Sequence, residues 1–106
     1  MKIQLIRNDA CHIWQTAEAA LKEALQKAGL PEKYEIIVVK NNEEAQKYRF
    51  FGSPQITIDG RDIDPMAEKA SQFQTKGCRF YLWQKKMYEY PPLEIILQEL
   101  KRAQAI

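Results

Sequence analysis

The chain has 106 residues, 45% of them apolar, which is enough for one domain with its own hydrophobic core. The formal net charge of +2, with acids and bases interleaved, argues against a nucleic acid partner. Two cysteines are too few for a disulfide-rich secreted scaffold. No apolar run approaches the ~20 residues of a membrane span, and the N-terminus has no basic segment followed by a long apolar stretch, as a signal peptide would. We therefore expect one cytoplasmic domain over residues 1–106, with reduced thiols and no membrane contact.

The first half of the chain predicts a strand, a helix and a second strand. Residues 2–7 form the first strand, and Asp9 is placed to cap a helix over residues 11–28, where apolar side chains recur at helical spacing. Gly29 is a typical helix stop. Residues 34–40 are β-branched and nearly continuously apolar, which is typical of a strand buried on both faces of a parallel pair.

The second half predicts two further strands with helices around them. Asn41 or Asn42 is placed to cap a short helix, and the Asp59-Gly60 pair is a strong turn signal. The predicted elements are a helix over residues 43–50, a strand over 55–59, a short helix within 67–73, a strand over 78–83 and a helix over 91–102. We expect the last two strands to pair as a long-looped hairpin. The order β-α-β-α-β-β-α predicts an α/β fold with a four-stranded mixed sheet flanked by helices.

The main functional candidate is the thiol of Cys11, which lies where the first predicted strand runs into the first predicted helix. Sites in open α/β sheets form at the carboxyl ends of parallel strands. Backbone N–H groups and the positive end of a helix dipole favour a thiolate there. If Cys11 is partly exposed, we therefore expect its thiol to have a depressed pKa and to be reactive near neutral pH. The alternative is a cysteine that serves as a small buried hydrophobic residue.

Two neighbours of Cys11 are candidates for supporting roles. His12 is placed to stabilise the thiolate as an imidazolium or to shuttle a proton, and the alternative is an exposed histidine in the first helical turn. Trp14, about one turn further on, is expected to cover the thiol or to join the core. Two distant cysteines and one histidine do not predict a structural zinc site, and we expect no cofactor.

Several features together resemble the thioredoxin superfamily: the order of elements, a cysteine at the start of the first helix, and the Ser53-Pro54 step before the third strand. The resemblance implies a thioredoxin-like fold in which Cys11 is the nucleophilic thiol. It also implies that Pro54 is a cis-proline facing that thiol, and that Ser53 offers backbone hydrogen bonds to an extended substrate. More narrowly, residues 51–56 (F-G-S-P-Q-I), 59–62 (D-G-R-D) and 78–81 (C-R-F-Y) resemble small thioredoxin-family proteins of the alkylmercury-lyase-like type.

One departure from the thioredoxin pattern concerns the second cysteine of the C-x-x-C motif, because Trp14 stands in its place. Three options remain: a one-thiol mechanism with an external thiol, a distant resolving cysteine, or no catalysis. Cys78 is the internal candidate for a resolving cysteine. Since the last strand of the predicted hairpin starts at the end away from Cys11, we expect Cys78 to be a buried structural thiol.

The sequence supports two hypotheses of different classes. The first is thiol–disulfide exchange on a thiol or disulfide protein substrate, with Cys11 and His12 as catalytic residues. In this hypothesis Trp14, Ser53 and Pro54 bind the substrate. The alternative is a non-enzymatic thioredoxin-like module that binds a protein partner or a soft metal ion through Cys11.

Overall fold

The computed structural model describes residues 1–105, and its centre is a mixed β-sheet. Within this range four strands form the sheet in the order β2-β1-β3-β4. They are β1 (Ile3–Asn8), β2 (Glu35–Val39), β3 (Gln55–Ile58) and β4 (Arg61–Asp62). β1 pairs in parallel with β2 and antiparallel with β3, and β3 pairs antiparallel with β4. The prediction of an α/β chain with a four-stranded mixed sheet and helices is confirmed.

Helices cover both faces of the sheet. Successive side chains of β1 point to opposite faces, so neighbouring residues of this strand pack against different helices. Leu5 belongs to the larger core cluster, which is shared with α1 (Trp14–Lys27) and α3 (Leu93–Gln104). Ile6 belongs to the smaller cluster, which includes Ala45 of α2 (Asn42–Lys47). None of the helices in the described part of the chain is long and apolar enough to cross a membrane.

The starts of the first two helices differ in how well the sequence predicted them. Asn41 caps α2 as predicted, because its side chain accepts a hydrogen bond from the backbone N–H of Glu44 at 2.9 Å. The predicted start of α1 at residue 11 is wrong. The helix begins at Trp14, and the residue at its cap position is Ile13, without a capping side-chain hydrogen bond. Asp9 therefore does not cap α1, and Cys11 lies in the loop before the helix.

The prediction that the second strand is buried on both faces is wrong. β2 is an edge strand, because β1 is its neighbour on one side and no described strand pairs with it on the other. Ile36 is 42% exposed as a result. A continuous apolar run is typical of a central parallel strand, but this pattern does not reveal whether the strand lies at the edge.

The predicted long-looped hairpin between residues 55–59 and 78–83 is also wrong. β3 turns directly into β4 through Asp59 and Gly60, whose φ angles of 53° and 81° suit a tight two-residue turn. The later segment forms a separate two-stranded sheet from β5 (Tyr81–Trp83) and β6 (Lys86–Tyr88). The short helix expected within residues 67–73 is a 3₁₀-helix at Pro65–Lys69.

Candidate functional site

Three segments of the chain surround one cavity of about 630 Å³ at the end of β1. The first segment runs from Asn8 through the loop to Ile13, the second contributes Ser53, and the third is residues 75–78. Val39, Lys40 and Glu89 complete the lining. This cavity therefore lies at the carboxyl end of β1, where the sequence predicts the site.

Cys11 lines this cavity and is half-buried. Its backbone N–H donates to the carbonyl oxygen of Asn8 at 3.4 Å, so the loop turns back on the end of β1. Because α1 begins three residues later, the expected position of Cys11 in the first helical turn is wrong. The thiol is held at the cavity by a loop instead of by the end of the helix.

The structure brings together three of the five predicted site residues. His12 is exposed and lines the cavity with Cys11 and Ser53. Trp14 does not line it, since this ring packs against the larger core cluster and stacks under the guanidinium of Arg7 at 4.5 Å. The interpretation of Trp14 as a core residue fits this position better than a cover on the thiol.

Pro54 is buried and does not line the cavity. The Ser53–Pro54 peptide bond is cis. The carbonyl oxygen of Pro54 accepts a hydrogen bond from the hydroxyl of Tyr81 at 2.6 Å. Pro54 therefore contacts the domain interior, and Ser53 is the residue of this loop that reaches the cavity.

The expectation that Cys78 is a buried thiol remote from Cys11 is wrong. Cys78 is exposed and lines the same cavity as Cys11. It forms an isolated parallel bridge with Ser53, whose N–H donates to Gly77 at 3.1 Å and whose carbonyl oxygen accepts from the N–H of Arg79 at 3.0 Å. The segment therefore runs alongside the Ser53 loop and does not extend the main sheet.

The same two hydrogen bonds correct the expected role of Ser53. A backbone N–H can donate to an extended substrate only if it is free, and the N–H of Ser53 already donates to Gly77. In this structure the chain's own residues 77–79 take the position along Ser53 that the sequence assigned to a substrate.

Gly52 permits this close approach. A Cβ atom built on Gly52 would lie 2.8 Å from the carbonyl carbon of Cys78 and 2.9 Å from its oxygen. These are backbone atoms, so a larger residue would displace the Cys78 segment as a whole. Glycine is therefore required here for a steric reason, and the G-S-P segment and the C-R-F-Y segment are in direct contact.

Arg79 fixes the Cys78 segment from inside the domain. Its side chain is 2% exposed, and its guanidinium donates to the two carboxylate oxygens of Asp62 at 2.9 and 3.1 Å. Asp64 lies 3.9 Å away, and the rings of Phe51 and Tyr81 flank the guanidinium at 4.1 and 4.8 Å. Burial by itself acts to lower the pKa of Arg79. Tyr81 and the two carboxylates outweigh this effect and raise the pKa above its ordinary value, so the side chain stays charged.

Tyr81 holds the other end of this segment. It is fully buried, and burial is the main cause that raises the pKa of its hydroxyl above the ordinary value of 10.0. Its O–H group is therefore the neutral donor to Pro54 at any ordinary pH. Along this stretch the side chains alternate, since Arg79 and Tyr81 are buried while Phe80 and Leu82 are 54% and 65% exposed.

Asn8 is a site residue that sequence reasoning missed, since it predicted only the end of a strand there. Its side-chain amide donates to the carbonyl oxygens of Thr75 at 2.9 Å and Gly77 at 3.2 Å. Its backbone N–H donates to the hydroxyl of Ser53 at 3.4 Å. Asn8 is 7% exposed, and its buried Oδ1 has no hydrogen-bond partner among residues 1–105.

A comparison with known protein families identifies the family of this chain. Residues 8–99 match the sequence profile of a family described as a domain of unknown function (DUF2703). The chain belongs to this family. The matched residues include both cysteines, the Ser53 loop and the Asp62–Arg79 pair. Neither the curated proteins nor the solved structures gave a significant match. In the described part of the chain, no three histidine, cysteine or acidic side chains come together in a group that could hold a metal ion.

Proposed function

We propose that this protein is a thioredoxin-like thiol protein that carries out thiol–disulfide exchange at Cys11. The observation that carries the proposal is the position of Cys11 on the wall of a cavity at the carboxyl end of β1, beside the Ser53 loop. The thiolate is the nucleophile in exchange, so the reacting residue needs access to a substrate, and Cys11 is a half-buried residue that lines a cavity.

The thioredoxin-like part of the proposal is supported by the order of elements. The parallel β1–β2 pair is connected through α1, and the antiparallel β3–β4 hairpin and a final helix follow. The β-α-β-α-β-β-α order of the resemblance is retained if Arg61–Asp62, in place of the predicted residues 78–83, is taken as the last strand of the sheet and β5–β6 as an insertion before α3.

In the proposed reaction the Cys11 thiolate attacks one sulfur of a substrate disulfide and releases the other substrate sulfur as a thiolate. His12 is exposed on the same cavity, where we assign it the supporting role of proton shuttle. Reduction of a substrate requires Cys11 as a free thiol, so the protein would act in a reducing compartment such as the cytoplasm.

The test compares the wild type with Cys11→Ser in the reduction of a protein disulfide, with a small dithiol as the final reductant. Wild type is expected to accelerate the reduction, and Cys11→Ser is expected to lose this acceleration. Ala10→Ser is the matched control, because Ala10 is exposed on the same cavity and its replacement keeps the thiol. A Cys11→Ser protein as fast as the wild type would contradict the proposal.

The alternative function is binding of a soft metal ion, and one observation favours it. Cys11 and Cys78 line the same cavity, and thiolates select soft ions such as Cu(I). Titration of the reduced protein with Cu(I) against a competing chelator measures this binding. Loss of binding in both Cys11→Ser and Cys78→Ser, together with no disulfide reduction by the wild type, would favour this function over exchange.

A further inference from the structure

We infer that Cys78 is the resolving thiol of this site and forms a disulfide with Cys11 after Cys11 has reacted with a substrate. The inference rests on the proposed function of Cys11 and names the residue that completes its reaction. A site with Trp14 at the usual place of the second cysteine otherwise depends on an external thiol to release the substrate.

A single residue connects the two thiol-bearing loops. The backbone oxygen of Asn8 accepts the N–H of Cys11, and the side-chain amide of Asn8 donates to Gly77, the residue before Cys78. Asn8 is almost fully buried at the end of β1, so it gives both loops a common rigid attachment. Contacts with the same strand end thus hold both cysteines at the wall of one cavity.

The Cys78 segment is fixed so that its thiol faces outward. Arg79 is anchored in the interior by Asp62, and the Ser53 backbone holds the segment on both sides of Cys78. Since neighbouring side chains of an extended segment point in opposite directions, burial of Arg79 leaves Cys78 exposed. An exposed thiol is available to attack a mixed disulfide.

Asn8, which lines the cavity, also has an unused acceptor. Oδ1 of Asn8 is buried and has no donor within the described residues, although buried polar atoms are nearly always hydrogen-bonded. Because this oxygen is closed to solvent in this structure, a polar hydrogen of a substrate would reach it only after a shift of the Cys11 loop. This acceptor lies on the residue that connects the Cys11 and Cys78 loops, which supports the same cavity as the place of reaction.

The proposed sequence balances in atoms and electrons. Cys11 attacks the substrate disulfide, a Cys11–substrate disulfide forms, and the first substrate thiolate leaves and takes a proton from water. Cys78 loses its proton to water and attacks the sulfur of Cys11, so the Cys11–Cys78 bond forms and the second substrate thiolate leaves. The substrate gains two electrons, the protein loses two, and an external dithiol returns the protein to its reduced form.

Disulfide formation requires the two Cα atoms to come within about 7 Å. The Cys78 segment is held by Ser53 and Arg79, so the movement falls to the Cys11 loop before α1, which can shift without breaking the sheet. A thiol on the same chain acts at an effective concentration on the order of millimolar, so at micromolar protein it should resolve the adduct roughly 1,000-fold faster than a second chain.

The test follows the reduced protein by intact mass after mixing with oxidised glutathione as the probe disulfide. Cys78→Ser is expected to accumulate a stable glutathione adduct on Cys11. Wild type is expected to show this adduct only transiently and to finish as a monomer with an internal Cys11–Cys78 disulfide. The rate of closure is expected not to change with protein concentration. Phe80→Ser is the matched control, because Phe80 is exposed two residues further along the same segment, and it is expected to behave as the wild type.

Three results overturn the inference, and they have different meanings. A glutathione adduct that persists on wild-type Cys11 would show that Cys78 does not resolve it, while leaving the reactivity of Cys11 intact. A Cys78→Ser protein that forms no adduct at Cys11 would remove the proposed function and the inference together. Disulfide-linked dimers in place of the internal disulfide would also reject resolution within one chain.

Discussion

Replacing Asp62 by asparagine is expected to destabilise the domain by about 3 kcal/mol, because the change removes the charge partner of a buried arginine. Breaking one partner of a buried ion pair costs about 3–5 kcal/mol, and asparagine keeps one acceptor oxygen, which places the effect at the lower end. Arg79 is 2% exposed and Asp62 is 12% exposed, so water does not replace the lost carboxylate. Asp64, at 3.9 Å, is a weaker second partner. For a domain of this size a loss of about 3 kcal/mol lowers the melting temperature by roughly 10–20 °C.

The assay is urea unfolding of the wild type, Asp62→Asn, Arg79→Met and the double variant. The double variant is expected to recover part of the loss, since it no longer buries an unpaired charge. Arg61→Gln is the control, because Arg61 pairs with Glu68 at 3.7 Å with both side chains exposed, and such pairs contribute less than about 1 kcal/mol. If Asp62→Asn costs no more than Arg61→Gln, the reasoning that Arg79 anchors the Cys78 segment is refuted.

Three further substitutions test the contacts around the site. Tyr81→Phe removes the donor to Pro54 and is expected to cost about 1–3 kcal/mol in urea unfolding. Because burial raises the pKa of Tyr81, the stability that it contributes is fully present below about pH 10 and is lost as pH rises, by up to about 1.4 kcal/mol per pH unit. Tyr81→Phe should show a shallower decline, and an unchanged slope would contradict the burial argument. Gly52→Ala is expected to cost about 1–3 kcal/mol, because its Cβ would lie 2.8 Å from the backbone of Cys78; full stability by thermal unfolding would disprove the close approach. Asn8→Asp replaces a donor to two carbonyl groups by an acceptor, so calorimetry should show a loss of at least about 2 kcal/mol, and a stability equal to the wild type would contradict these contacts.

The first half of the fold could be predicted from the sequence because its signals are local. The helical spacing of apolar residues after position 14 and the apolar strands around it determine the β1-α1-β2 unit without reference to distant residues. The start of α1 was missed because Asp9 is a good cap by residue type, whereas the chain turns at Asp9 and Ala10 and the N–H of Cys11 donates back to Asn8. Helix boundaries depend on such competition between local hydrogen bonds.

The second half could not be predicted because residues distant in sequence determine it. The tight turn at Asp59 and Gly60 gives β3 a nearby partner, which leaves the Cys78 segment to be placed by long-range contacts. Asp62 and Arg79 are 17 residues apart, and no local periodicity reveals that they pair. One signal was available. In an extended segment Cys78 and Phe80 lie on one face and Arg79 on the other, so burial of one face buries either the thiol or the charge. The structure buries the charge.

The segment 75–81 has a consequence for where the chain tolerates cutting, tagging or insertion. It contains almost no regular secondary structure before β5, so a secondary-structure map alone would suggest a dispensable surface loop. Its anchors in the interior, Arg79 and Tyr81, and its contacts with Asn8 make it as integral to the domain as a strand. A reporter or a protease site belongs instead at the exposed turn of Gln84 and Lys85 between β5 and β6, which leaves the thiol-bearing loops undisturbed.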